Sequence, residues 1–257
     1  MDFHTHTMWS GDSTTTPEEF AQCLAESGID VVCITDHNAV RGAQQLQGEL
    51  DARVVVGEEM KTHAGEIIGL FLTERVPQGL APVAAAQAVK SQGGLVYIPH
   101  PFDPLRNNLR HDVLDELVAE GLIDSIEVLN SKTSLNSLNS RAARYAGEHN
   151  LAPGAGSDAH VAEALGGAYL EMPDFDDDDP AGFLASMRQG WAVGHHYDPP
   201  RRWRPRIIPS LEAEPVGEAV TRAAREPVSN RDWEQEREAT GNATDGFSDP
   251  RVRLGDD

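Results

Sequence analysis

Short apolar runs alternate with amphipathic stretches from Met1 to about Val193, and this rhythm restricts the chain to an α/β architecture. Strands are expected at Met1–His4, Asp30–Thr35, Arg53–Glu59, Glu66–Leu72, Leu95–Pro99, Ser125–Leu129, Pro153–Gly156, Ala168–Glu171 and Trp191–Val193. Helical patterns fall between them, at Ala39–Leu50, Pro82–Ser91, His111–Glu120, Leu138–His149 and Pro180–Gln189. The first helix is the best punctuated. Thr16 can cap it, Pro17 suits its first position, Glu18 and Glu19 complement its dipole, and Gly28 stops it. Strand–helix alternation of this kind predicts a parallel sheet, closed into a barrel or doubly wound.

The ends of the apolar runs carry the chemistry. His4 and His6 stand at i and i+2 of the opening strand, so both face one side. Asp36-His37 follows Val31–Ile34, Glu58-Glu59 follows Val54–Val56, and His100 follows Leu95–Ile98. Asp158 and His160 repeat the i, i+2 spacing in Gly156-Ser157-Asp158-Ala159-His160. Barrel enzymes place functional residues at these C-terminal strand ends. A lone His-x-His pair is common and weak; five strand ends that each carry His, Asp or Glu point to metal ions. His63, His111 and His149 fall outside the pattern and read as ordinary polar residues. Imidazole and carboxylate donors without thiolate suit zinc, manganese or iron. Cys23 and Cys33 lack the spacing of a cysteine–zinc site.

In their order, Asp2–Thr7 (DFHTHT), Thr35–Asn38 (TDHN), Gly57–Glu59 (GEE), Pro99–Pro101 (PHP) and Gly156–His160 (GSDAH) resemble the PHP family, named for polymerase and histidinol phosphatase. The resemblance covers about residues 1–210, and Glu127–Glu171 is similar to the small C-terminal part of many stand-alone members. It implies a distorted (β/α)7 TIM-like barrel with two or three divalent ions at the C-terminal ends of the strands. It further implies that His4, His6, Glu59 and Asp158 hold one ion, and that Glu59 bridges to a second on His100. A third would sit on His37 and His160, with Asp12 where some relatives have histidine. Gly65-Glu66-Ile67 occupies the place of a further family histidine, so that either Glu66 substitutes as a ligand or the second ion is held more weakly. The implied reaction is hydrolysis of a phosphoester by a metal-activated water, with no protein nucleophile. The alternative is a catalytically inactive metal-binding or regulatory PHP domain.

Phosphate recognition should recruit cations, and Arg106, just beyond His100, and Lys132, beyond Glu127 and Asn130, are the candidates. Arg202 and Arg204 belong to a basic strap with Trp203, which either packs on the barrel or reads a nucleotide at the site mouth. The formal charge of −21 argues against a long nucleic acid as partner. It favours a small phosphorylated metabolite, a nucleotide or the end of a short oligonucleotide. Acid-rich composition reflects either a high-salt surface or a tail plus coding bias. No run reaches the roughly 20 apolar residues of a membrane span, and with no leader pattern the expected compartment is the cytoplasm. Residues 1–209 are read as the metal-binding barrel, and residues 210–257 as an acidic tail that does not fold.

Overall fold

Runs such as Val31–Ile34 and Leu95–Ile98 have no polar side chain on either face except the Tyr97 hydroxyl, so they need cover on both sides. They receive it in the computed structural model, which describes residues 1–176, 179–196 and 251–252. Seven strands lie side by side in chain order: β1 (Asp2–Thr5), β2 (Val31–Ile34), β3 (Arg53–Thr62), β4 (Gly65–Leu70), β5 (Leu95–Ile98), β6 (Ser125–Asn130) and β7 (Ala152–Gly156). The sheet curls until its ends meet. His6 N–H donates to the Ala159 carbonyl at 2.9 Å, Asp158 N–H donates to the His4 carbonyl at 2.8 Å, and Thr5 bridges to Ala159. The result is the nearly closed, distorted barrel that the family resemblance implies.

Helices α1 (Pro17–Ser27), α2 (Arg41–Leu46), α3 (Pro82–Ser91), α4 (His111–Ala119) and α5 (Asn136–Glu148) connect the strands. The cap of α1 is as its sequence predicts. Thr16 and Glu19 form a reciprocal capping box, and Gly28 closes the helix in the left-handed region at φ 71°. Expected α2 is longer than the one observed, because the chain leaves the helix at Gln47 before the glycine that follows.

The sheet is not parallel throughout. β4 runs antiparallel to both β3 and β5. The reason is the connection: only His63 and Ala64 separate β3 from β4, too few for a crossover. Gly65 makes the turn possible at φ 127°, where a Cβ would come within 2.4 Å of the Leu109 backbone. This hairpin brings Glu66 opposite Lys61 and places Ile68 opposite Glu59.

The last two expected strands also leave the parallel scheme. β8 (Ala168–Glu171) and β9 (Trp191–Gly194) pair antiparallel in a separate sheet, joined by β10 (Arg251–Val252). Beyond that pairing, residues 210–257, and with them the domain boundary at 209, lie outside the described residues. The small sheet is tied to the barrel by Met1 and Leu170, whose main chains exchange bonds of 2.8 and 2.9 Å. Helix α6 (Pro180–Met187) reinforces the joint by burying Phe183 against Phe3, Phe71 and Phe175, at ring separations of 5.7, 4.9 and 4.8 Å. Among the described residues no helix is long and apolar enough to cross a membrane.

Because Phe183 is wholly buried and touches β1 directly, Phe183→Ala should cost about 3–5 kcal/mol. Urea unfolding followed by circular dichroism should show this loss in a single transition. A separate early transition would mean that α6 does not share the barrel core.

Candidate metal centre

Each of the recurrent polar strand ends delivers a side chain to one buried volume. Strand β3 shows how. Successive side chains alternate faces, so Glu58 turns away and accepts from Val76 N–H at 2.7 Å, whereas Glu59 enters the barrel mouth. Glu59 is the hub of the cluster. Its Oε2 lies 3.2 Å from His4 Nε2, 3.3 Å from His6 Nε2 and 3.2 Å from His37 Nδ1, and its Oε1 lies 3.2 Å from His100 Nε2. These residues come from β1, β2, β3 and β5 or the turns directly after them.

Asp158 forms the opposite wall. Its Oδ1 is 3.8 Å from His4, 3.6 Å from His6 and 3.3 Å from His160. Asp12 closes the third side, with Oδ2 3.1 Å from His37 Nε2 and 3.4 Å from His160 Nε2. Glu66, brought in by the β3–β4 hairpin, stands 3.9 Å from His37 and 3.7 Å from His100. All nine side chains singled out as ligands therefore converge. Two of them, His100 at φ 28° and Asp158 at φ 52°, occupy backbone conformations that side-chain-bearing residues seldom adopt.

The residues fit divalent ions. Four sets of three or more donors, His6/Asp12/His37/His160, His4/His6/Glu59, His4/His100/Asp158 and His37/Glu59/Glu66, have ligand atoms within 4.8 Å of one another. His6 Nε2, His37 Nδ1 and Asp12 Oδ1 are buried without a hydrogen-bond partner, which is a cost unless a cation takes them up. The electrostatics point the same way. Burial, the largest single influence, would depress the imidazoles of His4 and His37, but the surrounding carboxylates together outweigh it, Glu59 with Asp158 and Glu127 at His4 and Glu59 with Asp12 and Glu66 at His37. His4 is held well above its ordinary value and His37 is pushed up to about 9. Burial would raise the Glu59 carboxyl, yet His4 and His37 hold it well below the usual range. The centre is a trap for positive charge.

Arg106 and Lys132, the expected phosphate contacts, both reach Asp158. Arg106 Nη2 lies 3.2 Å from Oδ2 and stays partly exposed, whereas Lys132 is buried. Lys132 Nζ spends its protons inside the protein, on the Asp158 carbonyl at 2.8 Å, Asp158 Oδ1 at 3.3 Å and His160 Nδ1 at 2.9 Å. Burial, with the nearby Arg106 charge, brings its ammonium down to about 8. Arg202 and Arg204 lie outside the described residues. Of the residues before them, His196 is described, and its ring bonds the Thr133 carbonyl next to Lys132.

Residues absent from the expected set support the ligands from behind. Asp36 accepts from Thr7 N–H and Thr7 Oγ1, both at 2.6 Å, clamping the end of β1 to the end of β2. Ser10 Oγ accepts from His37 N–H at 3.0 Å and lies 3.0 Å from His6 Nδ1. Asp103 ties the loop after β5 to Ser134 after β6. Glu127 touches His4 and His100. Two of them announce themselves in the sequence, Asp36 at the end of the run Val31–Ile34 and Glu127 as a lone charge within the apolar run Ile126–Leu129.

A PHP domain model matches residues 2–125, and a PHP-associated model matches residues 136–191. The chain belongs to the PHP domain family. Two uncharacterized proteins of Methanocaldococcus jannaschii are similar to it. One is 38% identical over 143 residues, 51% of this chain and 81% of that protein; the other is 32% identical over 198 residues, 73% and 78%. In fold the chain resembles a two-domain protein from Bacteroides vulgatus containing a predicted PHP-like metal-dependent phosphoesterase. The TM-score is 0.61 at 19% identity, over 76% of this chain and 64% of that one. It also resembles a lesion-specific endonuclease from Pyrococcus furiosus, with a TM-score of 0.56 at 14% identity, over 73% of this chain and 55% of that one. An amidohydrolase from Chromobacterium violaceum shares the fold at a TM-score of 0.53 and 16% identity, over 64% and 89% of the two chains.

Metal binding to a cluster of this kind should raise stability by mass action, by about 2.7 kcal/mol at a free ion concentration of 100 times the dissociation constant. Chelator-stripped protein titrated with manganese in thermal melts should show the rise, and Glu59→Gln should lose most of it. Coordination requires deprotonated ligands, so the rise should shrink as pH falls from 8 toward 5. Equal rises in the variant and the wild-type chain would remove Glu59 from the centre.

Proposed function

We propose that this chain is a metal-dependent phosphoesterase, with two or three ions of zinc, manganese or iron held by His4, His6, Asp12, His37, Glu59, Glu66, His100, Asp158 and His160. The observation that carries the reading is the four-imidazole shell around Glu59, with buried ring nitrogens that make no hydrogen bond and a partly exposed arginine at the rim. When bound there, such ions acidify water to a nucleophile near neutral pH and neutralise charge on phosphoryl oxygens.

The chain's own groups divide the remaining work. His4, His6, Glu59 and Asp158 would hold one ion, Glu59 and His100 a second, and His37, His160 and Asp12 a third. Arg106 is suited to phosphoryl oxygens, because its planar fork matches two of them and part of it faces solvent. Lys132 serves best as an internal cation that orients Asp158 and His160. The Ser10 hydroxyl is held between His6 and the His37 main chain, and Cys33 is buried in the core. That arrangement supports a route with no protein nucleophile.

The substrate class follows from charge. A chain of net charge −21 repels a long polyanion but tolerates a small one drawn in by local cations. A small phosphorylated metabolite, a nucleotide or a short oligonucleotide end fits, and the fold shared with an endonuclease is compatible with the last of these.

Hydrolysis of p-nitrophenyl phosphate with added manganese should fall to background in His4→Ala. Arg106→Ala should keep its metal content and lose about 10- to 100-fold in kcat/KM, the worth of one charge-assisted contact. Equal rates for wild type and His4→Ala would return the chain to a non-catalytic metal-binding domain.

A further inference from the structure

Glu127 is a buried carboxylate that belongs to none of the metal-sized clusters. It stands in mid-strand β6 between Ile126 and Val128, where an uncompensated charge would be costly. Its partners account for it. Oε1 faces His4 Nδ1 at 3.3 Å, while Oε2 accepts from His100 N–H at 2.7 Å and from Asn130 Nδ2 at 2.9 Å. Asn130 Nδ2 passes the link to Asp158 Oδ2 at 3.4 Å. One carboxylate thereby connects a side chain on β1, the main chain after β5 and, through Asn130, the loop after β7. Space for it is kept open on β7. A Cβ at Gly156 would stand 2.7 Å from Glu127 Oε1 and 2.4 Å from His4 Cβ. The β6–β7 register also shifts between Glu127 and Leu129, the kind of irregularity that re-aims a side chain.

We propose that Glu127 is a positioning residue that fixes His4 as the Nδ1–H tautomer and so aims the Nε2 lone pair into the centre. An ionised carboxylate can only accept, so the ring nitrogen facing it carries the proton. The second proton of the ring is then the one on Nε2, which lies 3.2 Å from Glu59 Oε2 and 3.8 Å from Asp158 Oδ1, and a bound ion would displace it to take the Nε2 lone pair. The bond from His100 N–H holds that residue's unusual backbone at φ 28°, so the same group sets the pitch of a second ligand. Carboxylates behind metal-bound histidines act in this way, and losing them weakens metal binding. The inference rests on the metal-binding part of the proposed function and not on hydrolysis.

The test uses the full chain loaded with zinc, a diamagnetic probe. Proton–nitrogen correlation of the imidazoles should show His4 with a solvent-protected proton on Nδ1 and a metal-shifted Nε2. Chelator competition should show Glu127→Ala and Glu127→Gln binding zinc about 10- to 100-fold more weakly. Glutamine is included because its amide cannot accept from His4, His100 and Asn130 together. Circular dichroism in chelator checks that both variants fold. Zinc on His4 Nδ1 in the wild-type chain would overturn the assignment, and so would Glu127→Gln within twofold of wild-type affinity. If neither variant folds, the wild-type tautomer alone decides. Failure to bind zinc at all would overturn both this inference and the metal centre. Zinc bound through Nε2 without turnover of any phosphoester would sink only the phosphoesterase reading.

Discussion

Buried negative charge around Glu59 is the constraint on which the rest of the structure depends. Carboxylates from Asp12, Glu59, Glu66 and Asp158 crowd one end of the barrel with five imidazoles. Removing that many ionisable groups from water is tolerable only when each is compensated. The chain supplies part of the compensation itself, through Arg106 and Lys132 on Asp158. Buried atoms without a hydrogen-bond partner, such as His6 Nε2 and His37 Nδ1, are where an ion could supply more. A protein that only needed a core would fill this volume with apolar side chains.

Holding such a cluster demands a stiff frame, and the fold provides one in two layers. Strands carry the ligands out to a common level, and the backbone bridges between Thr5 and Ala159 and between His37 and Glu59 lock adjacent strand ends together. Behind the ligands, Asp36, Ser10, Asp103, Asn130 and Glu127 each hydrogen-bond across two or more loops. The positions of the clustered side chains are therefore set by rigid neighbours, which would pre-arrange them for an ion. Positive φ at His100 and Asp158 is consistent with a frame that imposes geometry on its ligands.

Function follows from this geometry more than from the barrel, since related barrels serve different chemistries. The polarity of the entrance matters too. Arg106 faces partly outward, and the rest of the chain is strongly acidic. In the proposed reading, local attraction for a phosphoryl group combined with long-range repulsion of polyanions would favour small substrates.

Much of this was legible in the residues alone. Apolar runs ending in His, Asp or Glu single out the residues that converge at the barrel mouth, because strand periodicity is a local property that a sequence records directly. His4 with His6, and Asp158 with His160, are separated by a single residue, the spacing that brings alternate side chains of extended chain to one side. Glu59 rather than Glu58, by contrast, was decided by the phase of β3 within the sheet. The antiparallel setting of β4 was decided by its partners, although a two-residue connection hints at it. Lys132 turned inward because Asp158 and His160 close over it, and no local pattern announces that. Glu127 shows the division most clearly. Its presence in an apolar run marks it as exceptional, but only strands far apart in the chain, folded together, supply the His4 ring and the His100 amide that give a buried charge its reason to exist.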